Sequence, residues 1–330
     1  MEATTRSVLI TGANGFVGSR LCRKFLRENF TVVAGVRKTA DLSLLKGLKL
    51  NLAYGDVLQT ETLPAMVKGV DYIVHNAGVV KVKSPETFYE VNQHGTENLF
   101  AAIASHNPKV KRVVYISSLA AAGPVTDDKP VTESDPPHPI SEYGRSKLEG
   151  EKAALSYADK FPVTAVRPPG VYGPGDKEVF TFFQAVNRYL KPSIGDMSRR
   201  IQLVYVEDLC DGIYRATVAD SPTGSVYFIA ENRAYSIDEL ITTLQQACGK
   251  KGIPIPLPAA IFRLIAAISQ FLFKIFNATP MLTPEKADEL LASWEVATDS
   301  ARNEIGFDSR VPFAEGAKRT FEWYRQEGWL

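Results

Sequence analysis

Residues 7–18 read Ser7-Val8-Leu9-Ile10-Thr11-Gly12-Ala13-Asn14-Gly15-Phe16-Val17-Gly18, and residues 19–38 carry the chain through a helical stretch into a second apolar strand ending Val36-Arg37-Lys38. An apolar strand that turns through glycines into a helix aims free backbone N–H groups and the positive end of the helix dipole at one spot. That spot suits a diphosphate. Gly12 permits the tight turn, Gly15 lets a ligand approach the backbone, and Gly18 lets the helix pack on the strand. With strand, helix and second strand in order, the unit reads as a dinucleotide site.

The end of the second strand narrows the ligand. NAD-selective sites place an acidic residue there, on the adenosine ribose hydroxyls. Counting from Gly12, that place falls at Val36, followed by Arg37 and Lys38, so two cations stand where a carboxylate would. A guanidinium grips a phosphate through paired donors. A 2′-phosphate is therefore expected, which makes NADP(H) the preferred cofactor and NAD(H) the alternative. The competing reading of Arg37 and Lys38 is a pair of ordinary solvated charges.

Outward from this unit, strand-like and helix-like segments alternate. Strands are expected at 7–11, 31–36, 50–54, 71–75, 111–117 and 162–167, several of them continuous apolar runs such as Val113-Val114-Tyr115-Ile116. Such runs suit strands buried on both faces of a parallel sheet. The expected fold is α/β: a Rossmann-type doubly wound parallel sheet with a smaller, mostly helical C-terminal substrate lobe. A strand–helix pair at Leu203–Thr217 and a strand at Val226–Ile229 are expected to return to the sheet. The dinucleotide-binding part is accordingly placed at 1–168 plus about 200–230, and the substrate lobe at 169–199 plus 231–330.

Composition excludes several classes. A net charge of +1, with 23% charged residues, sets up no field that would recruit nucleic acid. Cys22, Cys210 and Cys248 are widely spaced and the four histidines show no ligand pattern, so no metal is expected. The chain enters a strand almost at once, leaving no room for a signal peptide. The expectation is a cytoplasmic enzyme acting on a small molecule.

Tyr143-Gly144-Arg145-Ser146-Lys147 puts a phenol and an ammonium four residues apart, on one helix face with a rise of about 6 Å. A nearby ammonium favours the phenolate, drawing a tyrosine below its usual pKa of about 10. Such a pair exchanges a proton with an alcohol or carbonyl. Upstream, Ser117-Ser118 ends a strand, Asn76-Ala77-Gly78 follows another, and Asn92 lies between them.

Together with Gly55-Asp56-Val57 and Arg167-Pro168-Pro169-Gly170-Val171-Tyr172-Gly173-Pro174, these motifs resemble the short-chain dehydrogenase/reductase superfamily in its extended branch. The likeness runs from Ser7 to the C-terminus. It implies Tyr143 as general acid/base, Lys147 on the nicotinamide ribose, Ser118 on the reacting oxygen and Asn92 as a support acting through water. It also implies Asp56 and Val57 at the adenine. Gly12, Asn14, Gly15, Phe16, Val17, Gly18, Asn76, Ala77, Gly78, Pro169 and Val171 complete the implied cofactor contacts, with Arg37 and Lys38.

Within that branch two departures set the chain apart from sugar-nucleotide epimerases and dehydratases. Their usual asparagine three residues after the arginine matching Arg167 is Gly170 here, and their diphosphate arginine is Ile201, with Arg199 and Arg200 close enough to substitute. The expected activity is NADP(H)-dependent interconversion of a carbonyl and a secondary alcohol on an apolar or semi-polar molecule. The sugar-nucleotide reaction is the alternative, and a sensor without turnover a third reading. The family expectation is a homodimer. A segment at 261–277 sets Arg263, Gln270, Lys274 and Asn277 on one stripe beside a broad apolar face. It reads as a core helix, a substrate entrance, a partner surface or a shallow membrane contact.

Overall fold

The computed structural model describes residues 6–127, 129–275 and 282–330, with the side chains of 274 and 275 excepted. Seven strands form one parallel sheet: β1 (Ser7–Thr11), β2 (Thr31–Val36), β3 (Asn51–Tyr54), β4 (Tyr72–His75), β5 (Arg112–Ile116), β6 (Val163–Arg167) and β10 (Ser225–Phe228). Their order across the sheet is β10-β6-β5-β4-β1-β2-β3. The order reverses between β1 and β4, where Ile10 pairs with Val74 and Thr11 with His75. A crevice opens beyond the carboxyl ends of strands at such a reversal.

The apolar runs explain why these strands sit centrally. Val8, Leu9 and Ile10 are wholly buried, as are Val113, Val114 and Tyr115. Alternate residues feed two cores. One lies under the helices Phe16–Arg27 and Val206–Val218, with Ile10, Val74 and Val114. The other lies under the helix Gly95–His106, with Leu9, Ile73 and Val113.

Beyond β6 the chain builds a lobe on two small sheets. β7 (Gly170–Tyr172), β9 (Arg200–Tyr205) and β11 (Ala234–Ser236) form one; β8 (Leu190–Ile194) and β12 (Ile253–Leu257) form a parallel ribbon. Of the two late strands expected in the main sheet, β10 takes its outer edge beside β6. The other expected segment forms the end of β9 and lies elsewhere, parallel to β7 and antiparallel to β11. The reason is in its side chains: Arg200 pairs with Glu295 at 2.6 Å and Gln202 is tied to Glu231 and Val296, all lobe partners.

Candidate active site

The glycine turn takes its shape from backbone demands. Gly12 has φ +64, and a Cβ there would come within 3.0 Å of the Ala77 Cα. A Cβ on Gly18 would stand 2.1 Å from the Gly12 carbonyl oxygen, so the helix seats on the turn only through a hydrogen. Gly15 differs. It has an ordinary φ of −78, and a Cβ there meets nothing nearer than the Gly12 oxygen at 3.4 Å. The protein itself makes little demand for glycine at 15; a ligand lying on the helix N-terminus would. Asn14, Phe16 and Val17 stand in the same turn, which ends at the N-terminus of the helix Phe16–Arg27.

At the far end of β2, Arg37 and Lys38 are exposed, and neither makes an ion pair among the described residues. Gly55 N–H donates to the Val36 carbonyl, bringing Asp56 alongside. Val57 is buried beneath Gly95, and its carbonyl accepts from Asn98. Turn, cations and acid thus follow one edge of the sheet.

The strand ends bring together the other residues. Asn92 is 1% exposed, on a one-turn π-helix, Glu90–His94, inserted between Glu86–Tyr89 and Gly95–His106. Its amide is locked: Oδ1 accepts from Val79 N–H at 2.9 Å, and Nδ2 donates to Val79 O and Ser146 Oγ. Asn92 and Lys147 meet at Gly78, where a Cβ would lie 3.0 Å from Asn92 Oδ1 and 3.8 Å from Lys147 Nζ. Lys147 Nζ donates to the Ile116 carbonyl at 2.6 Å and lies over the Tyr115 ring.

A buried chain of hydrogen bonds connects this group to the glycine turn. Thr11 Oγ1 accepts from Asn76 and Ala77 N–H, so its own proton points to His75 Nδ1 at 2.8 Å. Thr96 Oγ1 donates to the Asn92 carbonyl, so His75 Nε2–H donates to Thr96 at 3.1 Å. The logic of donors fixes the imidazole as neutral, with its proton on Nε2. Burial agrees, pulling His75 down to about 3.

Tyr143 begins the helix Glu142–Leu155, capped by Ser141 Oγ accepting from Gly144 N–H. Its phenol is pushed up to about 12, chiefly by burial, with the Ser118 hydroxyl acting the other way. Lys147 is pulled down to about 7, again by burial, while Glu151 one turn on favours its charge. The expected drop at Tyr143 gives way to a rise: burial dominates, Glu289 adds to it, and the Lys147 ammonium is committed to Ile116 O. Ser118 is half-buried and faces the phenol, whereas Ser117 Oγ is buried without a partner among the described residues.

Two supports escaped the sequence reading. Glu151 holds Arg167 by a two-pronged buried pair at 2.6 and 2.9 Å. Its position four residues after Lys147 was the available signal. The second is Glu289, which accepts from Ser141 Oγ, and no local signal marks it. Val171 is half-buried in β7, directly after the Pro168-Pro169 break. Arg199 and Arg200, the candidates for a diphosphate contact, are both engaged. Arg199 donates to the carbonyls of Leu290, Ile194 and Asp196, and Arg200 pairs with Glu295.

Residues 8–230 match the model of the NAD dependent epimerase/dehydratase family. The chain is 28% identical to a ceramide reductase of Caulobacter vibrioides, over 98% of this chain and 96% of that protein. It is 27% identical to a UDP-glucose 4-epimerase of Vibrio cholerae, over 97% and 96%. The solved structure of gox2253 superposes with a TM-score of 0.83 at 26% identity, covering 98% of this chain and 99% of that one.

Proposed function

Because the chain belongs to the NAD dependent epimerase/dehydratase family, within the extended short-chain dehydrogenase/reductases, we propose that it is an NADP(H)-dependent reductase of an apolar carbonyl compound. The carrying observation is the meeting of Asn92, Lys147 and Gly78 at the strand ends, with Ser118 facing Tyr143 beside them. A dinucleotide bound here supplies the hydride. The chain's own residues hold the oxygen and the proton. Ser118 hydrogen-bonds the carbonyl oxygen, and Tyr143, protonated at neutral pH with its pKa up at about 12, donates to it. Lys147 would hold the ribose of that dinucleotide, and Asn92 ties Val79 to Ser146, the residue before Lys147.

Arg37 and Lys38, exposed and without ion partners among the described residues, support a 2′-phosphate. The ceramide reductase relative supports an apolar substrate. The epimerase relative favours the second reading, a sugar-nucleotide reaction. Against it, both arginines available for a diphosphate are already held by the lobe.

Binding and turnover test the proposal together. The purified protein should bind NADPH about 10- to 100-fold more tightly than NADH, and Arg37→Ala/Lys38→Ala should remove most of that preference. NADPH should be consumed with long-chain ketones, and Tyr143→Phe should lose that turnover by about 100-fold or more while still binding NADPH. A preference for NADH overturns the cofactor assignment. Conversion of a nucleotide sugar with no net NADPH loss overturns the reductase.

A further inference from the structure

The helix Ala259–Ile275 faces the lobe with a narrow strip and solvent with an apolar one. Among the described side chains of this helix Phe262 and Ala266 are buried, set against Ala287, Leu290 and Leu291 of the helix Pro284–Leu291 and against Ile194 and Leu257 of the ribbon. At about 100° per residue, Phe271, Leu264, Ile268, Ile261, Leu272 and Ile265 succeed one another round an arc of about 120°. All six are exposed, Leu264 at 59% and Phe271 at 66%. β12 runs straight into this helix and adds Ile253, 70% exposed, and Ile255. A contiguous apolar face of this kind marks a contact surface.

Charge identifies what covers it. From Lys250 to Ile275 the charged residues are Lys250, Lys251, Arg263 and Lys274, and there is no carboxylate. Arg263 is itself paired with Asp288 at 2.7 Å, and Lys250 donates to the Asn187 carbonyl over the Tyr189 ring, so the unengaged cation beside the face is Lys251, exposed and without an ion pair among the described residues. A second copy packed by the same face would offer Lys251 no carboxylate. An anionic lipid surface matches both features, taking the apolar side chains among its acyl chains and Lys251 among its headgroups. No helix of the described residues is long and apolar enough to cross a membrane, so such a contact lies in the plane.

We propose that the outer face of Ala259–Ile275, with β12, docks on the surface of a bilayer containing anionic lipids. The helix beneath it, Pro284–Leu291, also holds Ser141 and Arg145 at the start of the Tyr143 helix. The docked face therefore stands one helix away from the reactive phenol. Docking is read without turnover, so the proposal stands or falls separately from the reaction assigned above.

The test is co-sedimentation of the full chain with phosphatidylcholine vesicles, with and without phosphatidylglycerol. Binding should require the anionic lipid, weaken with salt, and fall about tenfold or more in Leu264→Ser/Ile268→Ser/Phe271→Ser. Lys251→Glu should weaken it independently. All the substituted side chains are exposed, and an unchanged thermal midpoint establishes that the variants fold. A wild-type protein left in the supernatant overturns the proposal, as does an apolar triple variant that binds normally. Equal binding to phosphatidylcholine alone overturns the anionic commitment. A lipid-free dimer that the triple variant breaks into monomers overturns docking in favour of self-association.

Discussion

Desolvation pulls Lys147 down to about 7 and pushes Tyr143 up to about 12, so at neutral pH the phenol keeps its proton. For Lys147 the consequence reaches stability. Its folded value lies below the ordinary lysine value of 10.5. The unfolded chain therefore binds more protons between roughly pH 7 and 10.5, and stability rises with pH across that window. Below it, the folded state carries the full cost of a buried ammonium. Lys147→Met should accordingly raise the unfolding free energy relative to wild type at pH 6, with the advantage shrinking steadily towards pH 10. Urea titrations at a series of pH values measure it, and a difference flat across that range would remove burial as the cause. Activity should be lost at every pH, since Lys147 stands at Gly78 where the ribose is expected.

Among elements, the glycine turn separates folding from binding within one loop. Gly18→Ala drives a methyl into the Gly12 carbonyl and should cost about 1–3 kcal/mol of stability. Gly15→Ala makes no more than an ordinary contact with the Gly12 carbonyl oxygen at 3.4 Å and should cost under about 1 kcal/mol. The same Gly15 change should weaken NADPH binding by about tenfold or more, measured by fluorescence titration beside the denaturation curves. The inner strands were readable because runs such as Val113–Ile116 are buried on both faces and so stay apolar throughout. β8 and β12 were not: Pro192, Pro254 and Pro256 argue against strands, and these two survive by pairing only with each other. Nor does Glu90-Val91-Asn92-Gln93-His94 announce a π-turn. It is an ordinary helical composition, and the Asn92 side chain is held by Val79 and Ser146, one of them more than 50 residues along the chain. Tyr143, Lys147, Ser118 and Asn92 were readable as motifs, while His75 was not, because its role comes from Thr11 and Thr96 meeting it inside the fold.

Across the whole molecule, the lobe completes the Tyr143 helix. Glu289 accepts from Ser141 Oγ, Glu285 accepts from the Glu142 N–H at 3.0 Å, and Arg145 bridges Glu142 and Glu285. Ser141→Ala removes both the helix cap and the anchor of a mostly buried carboxylate, and should lower stability by about 1–3 kcal/mol. Glu285→Gln, at a more exposed pair, should cost under about 1 kcal/mol. Urea midpoints rank the two, and equal costs would show that the clasp at Ser141 is no stronger than the surface bridge. The clasp also has a history in time. Glu289 is made 148 residues after Ser141, a wait of about 7–30 s at ~5–20 residues per second on the ribosome. Through that interval the strands that form the crevice have already been made, while the helix bearing Tyr143 still lacks its last support. A nascent chain of this protein is thus a half-built vessel whose handle is attached last.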